Sequence, residues 1–76
     1  MTELVLAIAR SLVEHPEAVT ATAVEGPSET VIELRVAPED MGKVIGKQGR
    51  IAKAIRTVVK AAATKANQKV TVEIVQ

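Results

Sequence analysis

Phenylalanine, tyrosine, tryptophan and cysteine are all absent from this chain of 76 residues. Each absence removes a class of function. Without aromatic rings the chain by itself has no platform on which bases could stack. That excludes RNA-recognition folds and single-strand-binding barrels that depend on one. Without cysteine there are no disulfides, no thiolate metal ligands and no cysteine nucleophile, a usage that fits a reducing compartment. The lone histidine, His15, has no second His or Cys to complete a metal site. Its place beside Pro16 reads as a helix-end residue that complements the dipole. No apolar run is long enough to span a bilayer, and no basic region followed by an apolar one opens the chain. The expectation is a soluble cytoplasmic protein without metal or cofactor. The acids are scattered rather than paired, and no nucleophile stands beside a base, so an enzyme is not expected either.

What remains bounds the rest. The length fits one domain over residues 1–76. A domain this small buries a modest fraction of its surface. Apolar residues make up 47% of it, enough for a core built from Val, Ile, Leu and Ala. A further shortage is acid in the second half. Residues 1–40 carry Glu3, Glu14, Glu17, Glu25, Glu29, Glu33, Glu39 and Asp40 against Arg10 and Arg35. Residues 41–72 carry Lys43, Lys47, Arg50, Lys53, Arg56, Lys60, Lys65 and Lys69 and no acid. The net charge of +1 conceals this division, which points to an acidic partner for the second half or else to a solvated helix face.

Periodicity sets the elements. Leu4, Ile8 and Leu12 recur at helical spacing, widened by Val5 and Ala9, which predicts a helix over residues 2–14 with Thr2 as N-cap and Pro16 as the stop. Residues 18–25 read as a weak strand, with Val19, Ala21 and Ala23 on one face. Gly26-Pro27-Ser28-Glu29 is a turn. Residues 30–37 read as a better strand, with Ile32, Leu34 and Val36 facing one way. Pro38 with Glu39 and Asp40 opens a short helix to about residue 45. A loop at Gly46-Lys47-Gln48-Gly49 ends it, and a longer helix follows over about residues 50–66, with Ile51, Ile55, Val58, Val59 and Ala62 as its apolar arc. Val70, Val72 and Ile74 alternate along a last strand. This order gives an α+β sandwich with helices on one face of a three-stranded sheet.

The loop carries the chemistry. Two glycines let the backbone turn tightly and approach a partner without a Cβ between them. A helix start beside them leaves free N–H groups and a positive dipole end. Lys47 adds mobile charge, and Arg50, Lys53, Arg56 and Lys60 share an arc of the helix that follows. These parts suit a polyanionic strand.

Placed between a short helix and a long one, Val44-Ile45-Gly46-Lys47-Gln48-Gly49 resembles the GxxG segment of a KH domain. The element order resembles the type II, prokaryotic form of that fold. Residues 35–50 are especially similar to the short bacterial single-KH proteins of the KhpA family, and the resemblance extends over nearly the whole chain. It implies a type II KH fold, α-β-β-α-α-β, with a three-stranded sheet covered on one face by three helices. It also implies non-catalytic binding of single-stranded RNA, as an RNA chaperone or post-transcriptional regulator. Carried onto this chain, Gly46 and Gly49 permit close approach, Lys47 and Gln48 reach phosphate and sugar, and Val44 and Ile45 line the apolar floor under the bases. Arg50, Lys53 and Arg56 add phosphate contacts, while Lys60, Lys65 and Lys69 steer from further away. Ala52 departs from the branched apolar residue that many KH domains place three positions after the second glycine, with Ile51 and Ile55 as candidates to compensate. As partners the resemblance implies a second copy, or a larger KH-containing protein of the Jag/KhpB type.

Three other readings compete. The glycines could serve a plain helix–helix connector with a glycine cap, which needs neither the second glycine nor the basic flank. A phosphate-binding P-loop needs one more residue between its glycines, and a Ser or Thr where Gln48 stands. A protein-interaction subunit that dimerises through the glycine face or a strand edge is the alternative from another class, compatible with RNA binding.

Overall fold

The computed structural model describes residues 1–75 and, within them, all side chains except those of Lys47 and Gln48. Helix α1 (Thr2–Leu12) leads into a 3-10 turn (Pro16–Ala18), then strands β1 (Thr20–Glu25) and β2 (Thr30–Arg35), the long helical run α2 (Pro38–Lys65) and strand β3 (Val70–Val75). The sheet runs β1-β2-β3. The hairpin β1–β2 is antiparallel, with Ala21 opposite Leu34 and Ala23 opposite Ile32. β2 and β3 are parallel, with Ile32 beside Val72 and Leu34 beside Ile74.

Alternation along these strands puts one apolar row under the helices. Ile32, Leu34 and Val72 join Val5 and Ala9 of α1, and Val44, Ala52, Ile55 and Val59 of α2, in one core cluster. α1 and both parts of α2 therefore cover the same face. The opposite face is mixed, with Thr22, Glu33 and Glu73 in register next to the apolar pair Val24 and Val31.

The expected order α-β-β-α-α-β holds, but the join between the last two helices is shorter than expected. Residues 46–48 stay in the helical run, and the interruption falls on Gly49 alone, whose φ is +68°. Lys and Gln are good helix formers, so the chain has no reason to leave the helix before the second glycine. A left-handed residue cannot sit inside a straight right-handed helix. It divides α2 into an arm of residues 38–48 and an arm of residues 50–65.

Two stripes also rotate relative to expectation. In α1 the buried positions are Val5 and Ala9, whereas Leu12 is 43% exposed. In the second arm of α2 they are Ala52, Ile55, Val59 and Ala63, whereas Val58 is 44% exposed. Ala9, Ala52 and Ala63 let the helices approach the sheet closely, while Val5, Ile55 and Val59 fill the space between them. Met1, not Thr2, occupies the N-cap of α1, without a side-chain cap bond.

The ends of α2 follow local chemistry. Ala37 in an extended conformation precedes Pro38 at the first turn, and Glu39 and Asp40 complement the dipole. At the other end Asn67 takes φ 57°. The Gln68 N–H then donates to the Ala63 carbonyl at 2.8 Å and the Asn67 N–H to that of Thr64 at 3.1 Å, the pair of bonds that closes a Schellman cap. This cap turns the chain directly into β3.

Asp40 is the one buried charged residue among those described, with 0% exposure. Its Oδ1 accepts from the Glu14 N–H at 3.0 Å and its Oδ2 from the His15 N–H at 2.9 Å. The start of α2 thereby holds the segment that leaves α1. Beside it Glu14 pairs with Lys43, and His15 lies 3.7 Å from both Glu17 and Glu39.

Candidate nucleic-acid interface

The Gly49 break brings together residues from both arms of α2 and from β3. A cavity of about 270 Å³ is lined by Ile45, Gly49, Ala52, Lys53, Arg56 and Ile74. Its floor is aliphatic, its two ionisable residues are cations, and no acid lines it. Ile45 stands beside it 51% exposed, so its aliphatic side chain is open to a ligand laid in the cavity. Ala52 is nearly buried, so its small side chain sets the depth of the floor. Ile74 is the residue that sequence reasoning missed. The alternation of β3 placed it on the helical face, but nothing in sequence brought that strand beside the glycine segment.

The other site candidates divide. Val44 is 1% exposed and belongs to the core, so of the apolar pair only Ile45 faces the cavity. Arg50 lines a separate cavity of about 280 Å³ with Lys43, Gly46 and Ile51. Gly46 and Ile51 therefore face a different hollow from Gly49. Ile55 is in the core, so neither isoleucine substitutes for a branched side chain at Ala52. The side chains of Lys47 and Gln48 lie outside the described residues. Arg56 reaches across from α2, its Nε donating to the Val72 carbonyl of β3 at 3.4 Å. That contact uses only one of the guanidinium N–H donors.

The two glycines have different reasons. Gly49 needs a positive φ, which an L side chain adopts at a cost. Gly46 has an ordinary helical backbone, and a Cβ built on it meets nothing within 4 Å. The fold itself therefore does not require glycine at position 46.

Alternative sites are less apt for a polyanion. A larger cavity, about 430 Å³, lies against β1, the hairpin turn and the start of β3, but Glu25 and Glu29 line it. Glu14, His15 and Asp40 have ligand-like spacing, yet both Asp40 oxygens accept backbone hydrogen bonds and Glu14 is paired with Lys43. Among the described residues no helix is long and apolar enough to cross a membrane.

The family model described as KhpA/KhpB, KH domain, matches residues 2–74. This chain belongs to the KhpA/KhpB KH-domain family. Relatives in it are named RNA-binding protein KhpA. The one from Clostridium perfringens is 67% identical over 75 residues, covering 99% of this chain and 100% of its own. That from Listeria monocytogenes serovar 1/2a is 51% identical over 76 residues, covering both chains in full. That from Borreliella burgdorferi is 47% identical over 72 residues, covering 95% of this chain and 88% of its own. No solved structure matches the chain significantly. Within this KhpA/KhpB framework, the groove between α2 and β3 is the surface to which the glycine motif contributes Gly49 and Ile45.

Proposed function

We propose that this chain is a single KH domain over residues 1–76 that holds single-stranded RNA in the α2–β3 groove, without catalysis. The observation that carries this reading is the aliphatic floor of Ile45, Ala52 and Ile74 with Lys53 and Arg56 beside it and no acid. Bases have apolar faces and hydrogen-bonding edges, and a strand laid in such a groove directs them to the floor while its phosphates meet the cations. Gly46 and Gly49 allow the backbone of the RNA to come close, Lys47 and Gln48 reach phosphate and sugar, and Arg50 adds charge from the flank. Val44 contributes by fixing the helix from beneath. A groove of this kind spans about four nucleotides and binds weakly alone. Self-association, or pairing with a larger KH-containing protein of the KhpB type, supplies avidity. The setting is the cytoplasm, and the role is that of an RNA chaperone or post-transcriptional regulator.

Acidic residues at Lys47 and Gln48 test the reading. They should abolish binding of labelled single-stranded RNA in fluorescence anisotropy while circular dichroism stays unchanged, because repulsion acts on phosphate and not on the core. Undiminished affinity overturns the glycine segment as the clamp. Absence of RNA binding in the wild type, with a dimer formed through this face, favours the protein-interaction alternative.

A further inference from the structure

The furrow between α2 and β3 continues beyond the groove. A second cavity of about 360 Å³ follows it toward the Schellman cap, and its lining includes Arg56, Lys60, Lys69, Val70 and Thr71. Arg56 lines both cavities, and its link to Val72 stands between the two compartments. Lys60 enters from the helix and Lys69 from the turn before β3, on opposite walls. No acid lines either compartment. Underneath, Val59, Ala63 and Val72 are buried core residues, which makes this floor as fixed as the sheet itself. From Gly49 to Lys60 the helix rises about 16 Å, room for a strand to continue in one direction.

By sequence, Lys60, Lys65 and Lys69 shared one steering role. The structure separates them: Lys60 and Lys69 line the furrow and Lys65 does not. We propose that the second compartment binds nucleotides beyond those in the groove, with Lys60 and Lys69 contacting phosphates of the same RNA strand. The proposal rests on the groove being the RNA site. A pairing β-strand fits the furrow less well, because Arg56 occupies the Val72 carbonyl that an added strand would need on this edge.

The test uses the full chain and two labelled pools of random-sequence single-stranded RNA, one of about four nucleotides and one of about ten. Affinities are read by anisotropy across salt for wild type, Lys60→Ala, Lys69→Ala and Lys65→Ala. On the longer pool, Lys60→Ala and Lys69→Ala should each flatten the salt slope by about 0.7, a roughly 2.5-fold smaller loss of affinity between about 50 and 200 mM salt. On the shorter pool they should match wild type, and Lys65→Ala should match it on both. Equal losses on both pools, an equal effect of Lys65→Ala, or no effect on the longer pool overturns the second compartment. So does a loss of self-association by sedimentation in Lys69→Ala with length dependence intact, which assigns the furrow to a second copy. A Lys53→Glu variant, which reverses a charge that lines the groove itself, separates this from the parent reading. If it leaves affinity for the shorter pool intact, the groove itself fails, and the extension with it.

Discussion

Two glycines and two neighbouring aliphatic residues make the distinctions at the residue scale. Gly49→Ala forces a side chain into the left-handed region and should cost about 1–2 kcal/mol in urea denaturation. Gly46→Ala meets open space in a helical backbone and should stabilise by about 0.5–1 kcal/mol. If that stabilised variant also binds RNA less well, the glycine is there for the ligand. Equal destabilisation by both would show that position 46 has a structural reason. Val44 and Ile45 make a second pair. Val44→Ala should cost about 2 kcal/mol, because it opens a gap in the core. Ile45→Ala should leave the melting temperature nearly unchanged and alter which RNA sequences are preferred. The sequence showed that the two belong together as an apolar pair. Only the orientation of the helix could show that one faces inward and the other outward, since adjacent helical residues point about 100° apart.

At the scale of elements, the fold was legible wherever periodicity or a breaker spoke. Gly26-Pro27 and Pro38 marked real boundaries, and the alternation at Ile32, Leu34, Val72 and Ile74 marked the inner face of the sheet, whereas α1 ends at Leu12 before reaching His15, and Pro16 opens the 3-10 turn rather than stopping the helix. The extent of the glycine loop was not legible, because Gly46 is tolerated in a helix and only φ distinguishes it from Gly49. Asp40 was also hidden. As one of two acids after a proline it reads as a helix-start residue, and its partners at Glu14 and His15 lie far back in sequence. Asp40→Ala should lose both charge-assisted bonds and cost about 3 kcal/mol in chemical denaturation. RNA affinity measured below the melting transition should be preserved, since Asp40 lines neither compartment of the furrow. Asp40→Asn keeps one acceptor and should fall between the two. A change below about 0.5 kcal/mol for Asp40→Ala would mean that water replaces the carboxylate without penalty.

For the whole molecule, charge and groove coincide. The basic half of the sequence contributes both walls of the furrow, while Glu14, Glu17, Glu39 and Asp40 lie around the α1–α2 junction and Glu25 and Glu29 at the hairpin turn. Binding should therefore weaken with salt at a slope of about −0.7 for each phosphate neutralised on a single strand. Lys53→Ala and Arg56→Ala should each reduce that slope by about one such unit and weaken different RNAs nearly equally, because phosphate carries no sequence information. Arg56→Ala should also loosen β3, measured as faster hydrogen exchange, because Arg56 joins the helix to the strand. A slope unchanged by both variants would return these cations to the status of a solvated face.

The parallel pairing of β2 with β3 also governs the order in which this molecule acquires its activity. The residues it joins are 40 positions apart, whereas the β1–β2 hairpin closes locally. Loop closure makes distant pairing late in refolding. Helices and hairpin can form while Ile74 is still away from Ile45, and a chain in that state has helical content but no groove. Recovery of RNA capture should therefore track the slowest refolding phase and lag the return of helical ellipticity. Binding competence is thus a property of the completed sheet, and a partly folded chain cannot hold RNA in the groove.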